Sequence, residues 1–208
     1  MSLRLVRSLS EEGFPTSGND TLLFSKSALI MKKKAIYAYA VLLLIVIPAH
    51  AFSLRFLDYL TPFYLVAAPL VLGKRVNIYL SGRQIALAVI VSAVILLPFL
   101  FFFSATKNFV PPGPVALAVQ LFGVSFPEEI FFRGFPQDTL GNNYKGVIVT
   151  SLLFAAAHLP AFVFSDDPSA PLTFFPSLVM GFLYLRTSNV IPSTIFHFLA
   201  NVVYLGSL

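Results

Sequence analysis

The segment at residues 84–106 reads QIALAVIVSAVILLPFLFFFSAT and contains no charged side chain in 23 positions. An α-helix of that length extends over roughly 34 Å, which exceeds the roughly 30 Å thickness of the hydrocarbon core of a bilayer. An uncharged apolar run this long is typical of a transmembrane helix, and it predicts that the chain is embedded in a membrane.

The composition of the whole chain supports that prediction. Hydrophobic residues make up 57% of the 208 residues and charged residues only 11%, whereas a soluble domain carries about 25% charged residues. These fractions exclude a soluble globule and a disordered chain. The net charge of +5 does not indicate nucleic-acid binding, because the basic residues are scattered at the ends of apolar runs. The absence of cysteine excludes disulfides and a thiolate nucleophile.

Further apolar runs predict an all-α fold, a polytopic membrane helical bundle with about seven transmembrane helices. Most of the runs approach the roughly 20 residues that a helix needs to cross the hydrocarbon core. Together with the segment quoted above, they are residues 35–54, 57–73, 84–106, 112–132, 146–165, 172–185 and 189–206.

The first thirty residues differ from the rest because they are polar and contain three of the nine acidic residues. We predict a disordered tail over residues 1–30 and a transmembrane domain over residues 31–208. Residues 32–34 and the apolar run at 35–54 also resemble a signal peptide, with Ala49-His50-Ala51 as a small-residue cleavage site. We favour a retained helix, because the run is long and no soluble domain follows it.

The basic residues are distributed unequally between the two sides of the predicted helices. If the amino end of the first helix is inside and the chain alternates, two basic residues, Arg55 and Lys107, lie outside and nine lie inside. The positive-inside rule then predicts an integral, multi-pass membrane protein with a cytoplasmic N-terminus. The nine inner residues are Lys32, Lys33, Lys34, Lys74, Arg75, Arg83, Arg133, Lys145 and Arg186.

Charged groups within apolar helices are costly and usually serve a function. The first such cluster is Glu128, Glu129 and Arg133 near the end of the fourth run. Glu129 and Arg133 are four residues apart on one helix face and can form an ion pair. Glu128 points about 100° away and lacks that partner, which suits a general base. The alternative is an interfacial cluster that ends the helix, but two acids within an apolar run are difficult to explain as a cap.

Two later helices carry further polar groups. His158 follows three alanines, which let another helix approach closely. His197 and Asn201 are four residues apart and can donate hydrogen bonds to one point. Each could separately be a packing residue. Counted at about 1.5 Å per residue from the inner boundaries, Glu128, His197 and His158 lie roughly 10, 11 and 18 Å deep. These similar depths predict one site that opens on the cytoplasmic side.

The combination of Glu-Glu-x-x-x-Arg, Phe-x-x-x-His and His-x-x-x-Asn on successive apolar helices resembles the CPBP family of intramembrane proteases. This family, also called the Abi family, contains CAAX proteases, bacteriocin-processing enzymes and Rce1-type prenyl proteases. The resemblance covers about residues 115–204, and Arg186-Thr187-Ser188 between the motifs also resembles the family. The matching motif positions are Glu128, Glu129, Arg133, His158, His197 and Asn201.

The resemblance implies an endopeptidase that cleaves a membrane-anchored protein or peptide within the lipid bilayer, with no nucleic acid as partner. In the family, the first Glu and the middle His activate a water molecule, and the last His and the Asn form an oxyanion hole. Carried over, the catalytic residues are Glu128, His158, His197 and Asn201, and the supporting residues are Glu129 and Arg133. Two alternatives are an ion- or proton-coupled transporter and a non-catalytic scaffold or bacteriocin-immunity protein. A transporter predicts inverted repeats and broken helices in both halves, which the sequence does not contain.

A metal-dependent mechanism is the last alternative. Glu128, His158 and His197 could form a zinc site with two histidines and one glutamate, and the family has long been called metalloproteases on such grounds. The chain has no His-Glu-x-x-His sequence, which would place two ligands and a base on one helix face. If Glu128 bound zinc, no base would be left, because Glu129 is the acid placed to pair with Arg133. We predict a glutamate-activated water and no cofactor, with zinc as the alternative.

Overall fold

The computed structural model describes the backbone of residues 18–106 and 109–208, and the side chains from Lys26 onward within those ranges. The described residues form seven helices and no strand, which confirms the predicted all-α fold. The helices are α1 (Gly18–Ala51), α2 (Arg55–Val71), α3 (Gly82–Thr106), α4 (Pro114–Gly141), α5 (Tyr144–Ser165), α6 (Phe174–Thr187) and α7 (Val190–Gly206).

Four of the helices are long and apolar enough to cross a membrane: α1 over Lys26–Ala51, α3, α4 and α5. Helix α7 is a shorter apolar helix, and α2 and α6 have 17 and 14 residues. All seven predicted runs therefore form helices, and four of them have the length and composition of membrane spans. The chain is an integral membrane protein.

Helix α1 begins much earlier than the sequence predicts. Its first residue is Gly18, so the structure has residues 18–30 in a helix where the sequence predicts a disordered tail. The reason is that neither glycine nor proline occurs from residue 19 until Pro48, and these are the residues that most strongly break helices. Residues 1–17 of the predicted tail lie outside the described residues.

Helix α4 extends to Gly141, well beyond the predicted end at residue 132. It contains two π-helical segments, Val119–Ser125 and Arg133–Gln137, and such widened turns occur most often at functional sites. Because the helix continues past Arg133, that side chain is fully buried. Arg133 is counted among the nine basic residues of the inner side, but it lies within the bundle, so the positive-inside argument rests on the other eight.

Helix α4 lies at the centre of the bundle, in contact with α1, α2, α5, α6 and α7, and α3 packs against α7. Phenylalanines form the core around it. Phe131, Phe132 and Phe135 of α4 are at most 2% exposed, and the Phe132 ring lies 4.9 Å from that of Phe154 on α5. This packing places the charged residues of α4 in the most enclosed part of the molecule.

The two ends of the bundle differ in chemistry. At one end, which we call the lysine end, Lys74 pairs with Asp138 in a salt bridge between the α2–α3 loop and the end of α4. At the opposite end, the His50 end, His50 Nδ1 lies 2.9 Å from Ser165 Oγ. The loops alternate between these ends as the sequence predicts, and the end that faces the cytoplasm stays a prediction.

Single cysteines can test the orientation, because the chain contains none of its own. Tyr144 is 65% exposed at the lysine end of α5, and Pro168 is exposed beyond its other end. We expect Tyr144→Cys to react with a membrane-impermeant maleimide only in inverted vesicles, and Pro168→Cys only in intact cells. The reverse labelling pattern would place the lysine end outside.

Candidate active site

Glu129 and Arg133 form a fully buried ion pair on α4. Arg133 Nε lies 3.1 Å from Glu129 Oε2, and both side chains are 0% exposed. This confirms the pairing predicted from the four-residue spacing. Isolated charges would be very costly in this environment, so each group depends on the other and on further hydrogen bonds.

Arg133 has two further acceptors. Its Nη2 donates to Ser177 Oγ at 2.7 Å, and its Nη1 donates to Gln137 Oε1 at 3.4 Å. Gln137 in turn donates to the carbonyl oxygen of Gly181 at 2.9 Å. The guanidinium is thereby fixed between α4 and α6, and it holds Glu129 in one orientation.

His197 on α7 lies between the two glutamates. Its Nδ1 is 3.1 Å from Glu129 Oε1, and its Nε2 is 3.8 Å from Glu128 Oε2. The first distance is that of a hydrogen bond and the second is not. Glu129 therefore joins Arg133 to His197, and this arrangement directs Nε2 toward Glu128.

The carboxylate of Glu128 has an oxygen without a hydrogen bond. Oε2 is buried and makes no hydrogen bond to any described residue, although the side chain as a whole is 16% exposed. A buried carboxylate oxygen without a donor is uncommon and calls for an explanation such as an ordered water or a catalytic role. This agrees with the prediction that Glu128 is the acid left without Arg133.

Glu128 and His158 line one cavity, with a volume of about 200 Å³, between α1, α2, α4 and α5. The structure thus brings together the two residues to which the resemblance assigns the activation of water. Most of the lining is apolar, and the other polar residues around the cavity are His50, Asp58 and Thr61.

The cavity extends from the middle of the bundle toward the His50 end. On α4 it reaches from Glu128 back to Gly123, and on α5 from His158 forward to Ala161. His50 lines it as well. The lining therefore reaches the end opposite the lysines, and the predicted opening on the cytoplasmic side stays a prediction. Glu128 lies deeper than predicted because α4 is longer: it is 13 residues, or about 20 Å, from Gly141 rather than about 10 Å from that end.

His158 is oriented by its own helix. Its Nδ1 lies 2.8 Å from the carbonyl oxygen of Phe154, which can only accept, so Nδ1 carries a proton and Nε2 is left for another partner. The Phe154 ring lies 4.6 Å from the His158 ring and 5.8 Å from the His197 ring. Phe154 thus packs against both imidazoles.

Asn201 does not share an acceptor with His197. Its Nδ2 donates to Gln120 Oε1 on α4 at 3.0 Å, whereas the Nδ1 of His197 faces Glu129. The predicted convergence of the two donors on one point is thus not realised by protein atoms. The sequence pattern did not single out three further polar residues around the site: Gln120, Ser177 and Gln137. Gln120 could have been recognised from the sequence, because it is a polar amide within an apolar run and such residues usually face the interior of a helical bundle.

The structure also bears on the zinc alternative. Among the described residues, no three His, Cys, Asp or Glu side chains lie close enough together to hold a metal ion. Glu128, His158 and His197 therefore do not fit a metal site in this arrangement. His197 uses Nδ1 for Glu129, and Phe154 keeps its ring beside both imidazoles.

Comparison with known proteins finds a family model that matches part of the chain. Residues 109–203 match the family model described as type II CAAX prenyl endopeptidase Rce1-like. The matched range contains all six motif positions and nearly coincides with the predicted range of residues 115–204. No curated protein and no solved structure matches the chain significantly.

Proposed function

Residues 109–203 match the Rce1-like family model, and from this premise we propose that the chain is a glutamate-type intramembrane endopeptidase. Its substrate is a membrane-anchored protein or peptide. The observation that carries the proposal is that the buried Oε2 of Glu128 accepts no hydrogen bond from the described residues, and that Glu128 lines the same cavity as His158. A buried carboxylate with a purely structural role would accept hydrogen bonds, whereas a general base must have an unoccupied position for its water.

In the proposed reaction, a water molecule in the cavity binds between Glu128 and the Nε2 of His158. Glu128 takes a proton from this water, and the oxygen attacks the carbonyl carbon of the scissile peptide bond. The C–N bond then breaks, and the departing nitrogen receives the proton from Glu128. Such proton transfer contributes about 10²–10⁴-fold to a rate.

The carbonyl oxygen becomes negatively charged during this attack, and His197 and Asn201 are the proposed donors to it. Because Nδ1 of His197 donates to Glu129, a second donation from Nε2 requires the doubly protonated imidazolium. Asn201 retains one N–H of its amide, since only the other is used by Gln120. Donors of this kind are each worth about 10²–10³-fold in kcat.

Direct cleavage assays test the proposal. Purified protein in nanodiscs is incubated with membrane-anchored peptides, and the products are identified by mass spectrometry. We expect cleavage at an internal peptide bond by the wild type and none by Glu128→Ala. A proton-driven transporter would instead move solute without cleavage, and a scaffold would require the cluster only for folding.

Metal dependence is a separate test. We expect active protein to contain far less than one zinc per chain by elemental analysis and to keep its activity after chelation, because Glu128 is assigned to water rather than to a metal. Near-stoichiometric zinc, with activity lost on chelation and restored by zinc, would replace this mechanism by a metal-bound water.

A further inference from the structure

The Asn201 side chain is held from another helix by a residue that belongs to none of the three motifs. Its Nδ2 donates to Gln120 Oε1 at 3.0 Å, over a separation of 81 residues along the chain. Both side chains are half-buried. An amide has one donor end and one acceptor end, so this hydrogen bond determines which end of Asn201 is the donor in the site.

Glu129 orients His197 in the same way that Gln120 orients Asn201. Its carboxylate accepts from Nδ1 at 3.1 Å and thereby directs the other nitrogen of the ring. His197 and Asn201 are one helical turn apart on α7, and both of their acceptors come from α4. Helix α4 thus orients each of the two donors by one oxygen atom.

The π-helical segment Val119–Ser125 gives Gln120 its position. Its neighbours Val119 and Phe122 are 55% and 70% exposed on the outside of the bundle, whereas Gln120 is turned inward to α7. A π-turn shifts the register of the residues before it relative to those after it. This allows Gln120 and Glu129 of one helix to face the same neighbouring helix.

We propose that Gln120 is a positioning residue for the oxyanion donor Asn201. The inference rests on the proposed function. Gln120 does not contact the substrate; it keeps the amide nitrogen of Asn201 toward the site and leaves its second N–H free for the developing negative charge. Its loss should therefore lower kcat and leave KM nearly unchanged, because the interaction strengthens only in the transition state.

The test replaces Gln120 by two residues of similar length. Gln120→Met removes the acceptor, and we expect kcat to fall about 10-fold, the effect of one lost orienting hydrogen bond, with KM changed less than about 2-fold. Gln120→Glu keeps an oxygen acceptor in the same place and should restore most of kcat. Both variants should melt at the wild-type temperature.

A double-mutant cycle separates positioning from a general structural effect. Asn201→Ala alone should lower kcat about 10²–10³-fold, and adding Gln120→Met should then have almost no effect, because the residue it orients is gone. Multiplicative losses, failure of Gln120→Glu to restore kcat, or wild-type kcat in Gln120→Met would each overturn the inference. Failure of the proposed function looks different: either the wild type does not cleave, or Asn201→Ala keeps full activity.

Discussion

Glu128→Gln abolishes peptide cleavage while the protein still folds, if the proposed role of Glu128 is correct. The amide has nearly the same shape as the carboxylate and can occupy the same cavity, but it cannot take a proton from water. We expect kcat to fall by at least about 10³-fold, which lies within the range that general bases contribute. The measurement is turnover of a membrane-anchored peptide by protein with an unchanged melting temperature.

The matched control is the same carboxylate-to-amide change at Asp166, in the loop after α5. Asp166 is exposed and has a φ of 52°, a left-handed conformation that asparagine also tolerates. Asp166→Asn should therefore behave as the wild type. Substantial turnover by Glu128→Gln, free of contaminating protease, would assign the base to another residue.

The second large effect concerns stability. Arg133→Ala leaves the fully buried Glu129 without its cation, and breaking a buried pair from one side costs about 3–5 kcal/mol. We expect the melting temperature in detergent to fall by roughly 10 °C. Activity should be lost as well, because Glu129 also holds His197.

Arg186→Ala provides the comparison for this variant. Arg186 is exposed on α6, with its guanidinium carbon 5.0 Å from the centre of the Phe182 ring. An exposed contact of this kind is worth about 0.5–1 kcal/mol, so the melting temperature should change little. Equal melting of Arg133→Ala and the wild type would contradict the assignment of Arg133 as the essential partner of Glu129.

The fold was largely predictable because uncharged runs determine where helices lie in a bilayer. The start of α1 and the end of α4 were not predictable in the same way, and each has a physical reason. Residues 18–30 are polar enough to suggest a tail, yet they contain no helix breaker after Gly18. On α4, Arg133 suggests a boundary, but its charge is satisfied inside the bundle by Glu129 and Ser177.

Contacts within the site were predictable from the sequence where both residues lie on the same helix. The spacing of Glu129 and Arg133 alone fixes their pairing. Contacts between helices depend on rotation about each helix axis, which the sequence pattern does not specify. The same limit applies to Gln120 and Asn201, and to the end of the bundle toward which the cavity extends.

The π-helical segment before Glu128 makes the proposed site sensitive to insertions and deletions in the chain. Deletion of one outward-facing residue there, such as Phe122, would remove the widened turn and rotate Gln120 by about 100° relative to Glu128. A substitution at the same position would leave the register intact. A relative that lacks one residue in this segment would need a different hydrogen-bond partner for the asparagine at the position of Asn201. A one-residue gap here would therefore indicate a change in the site, whereas most substitutions would not.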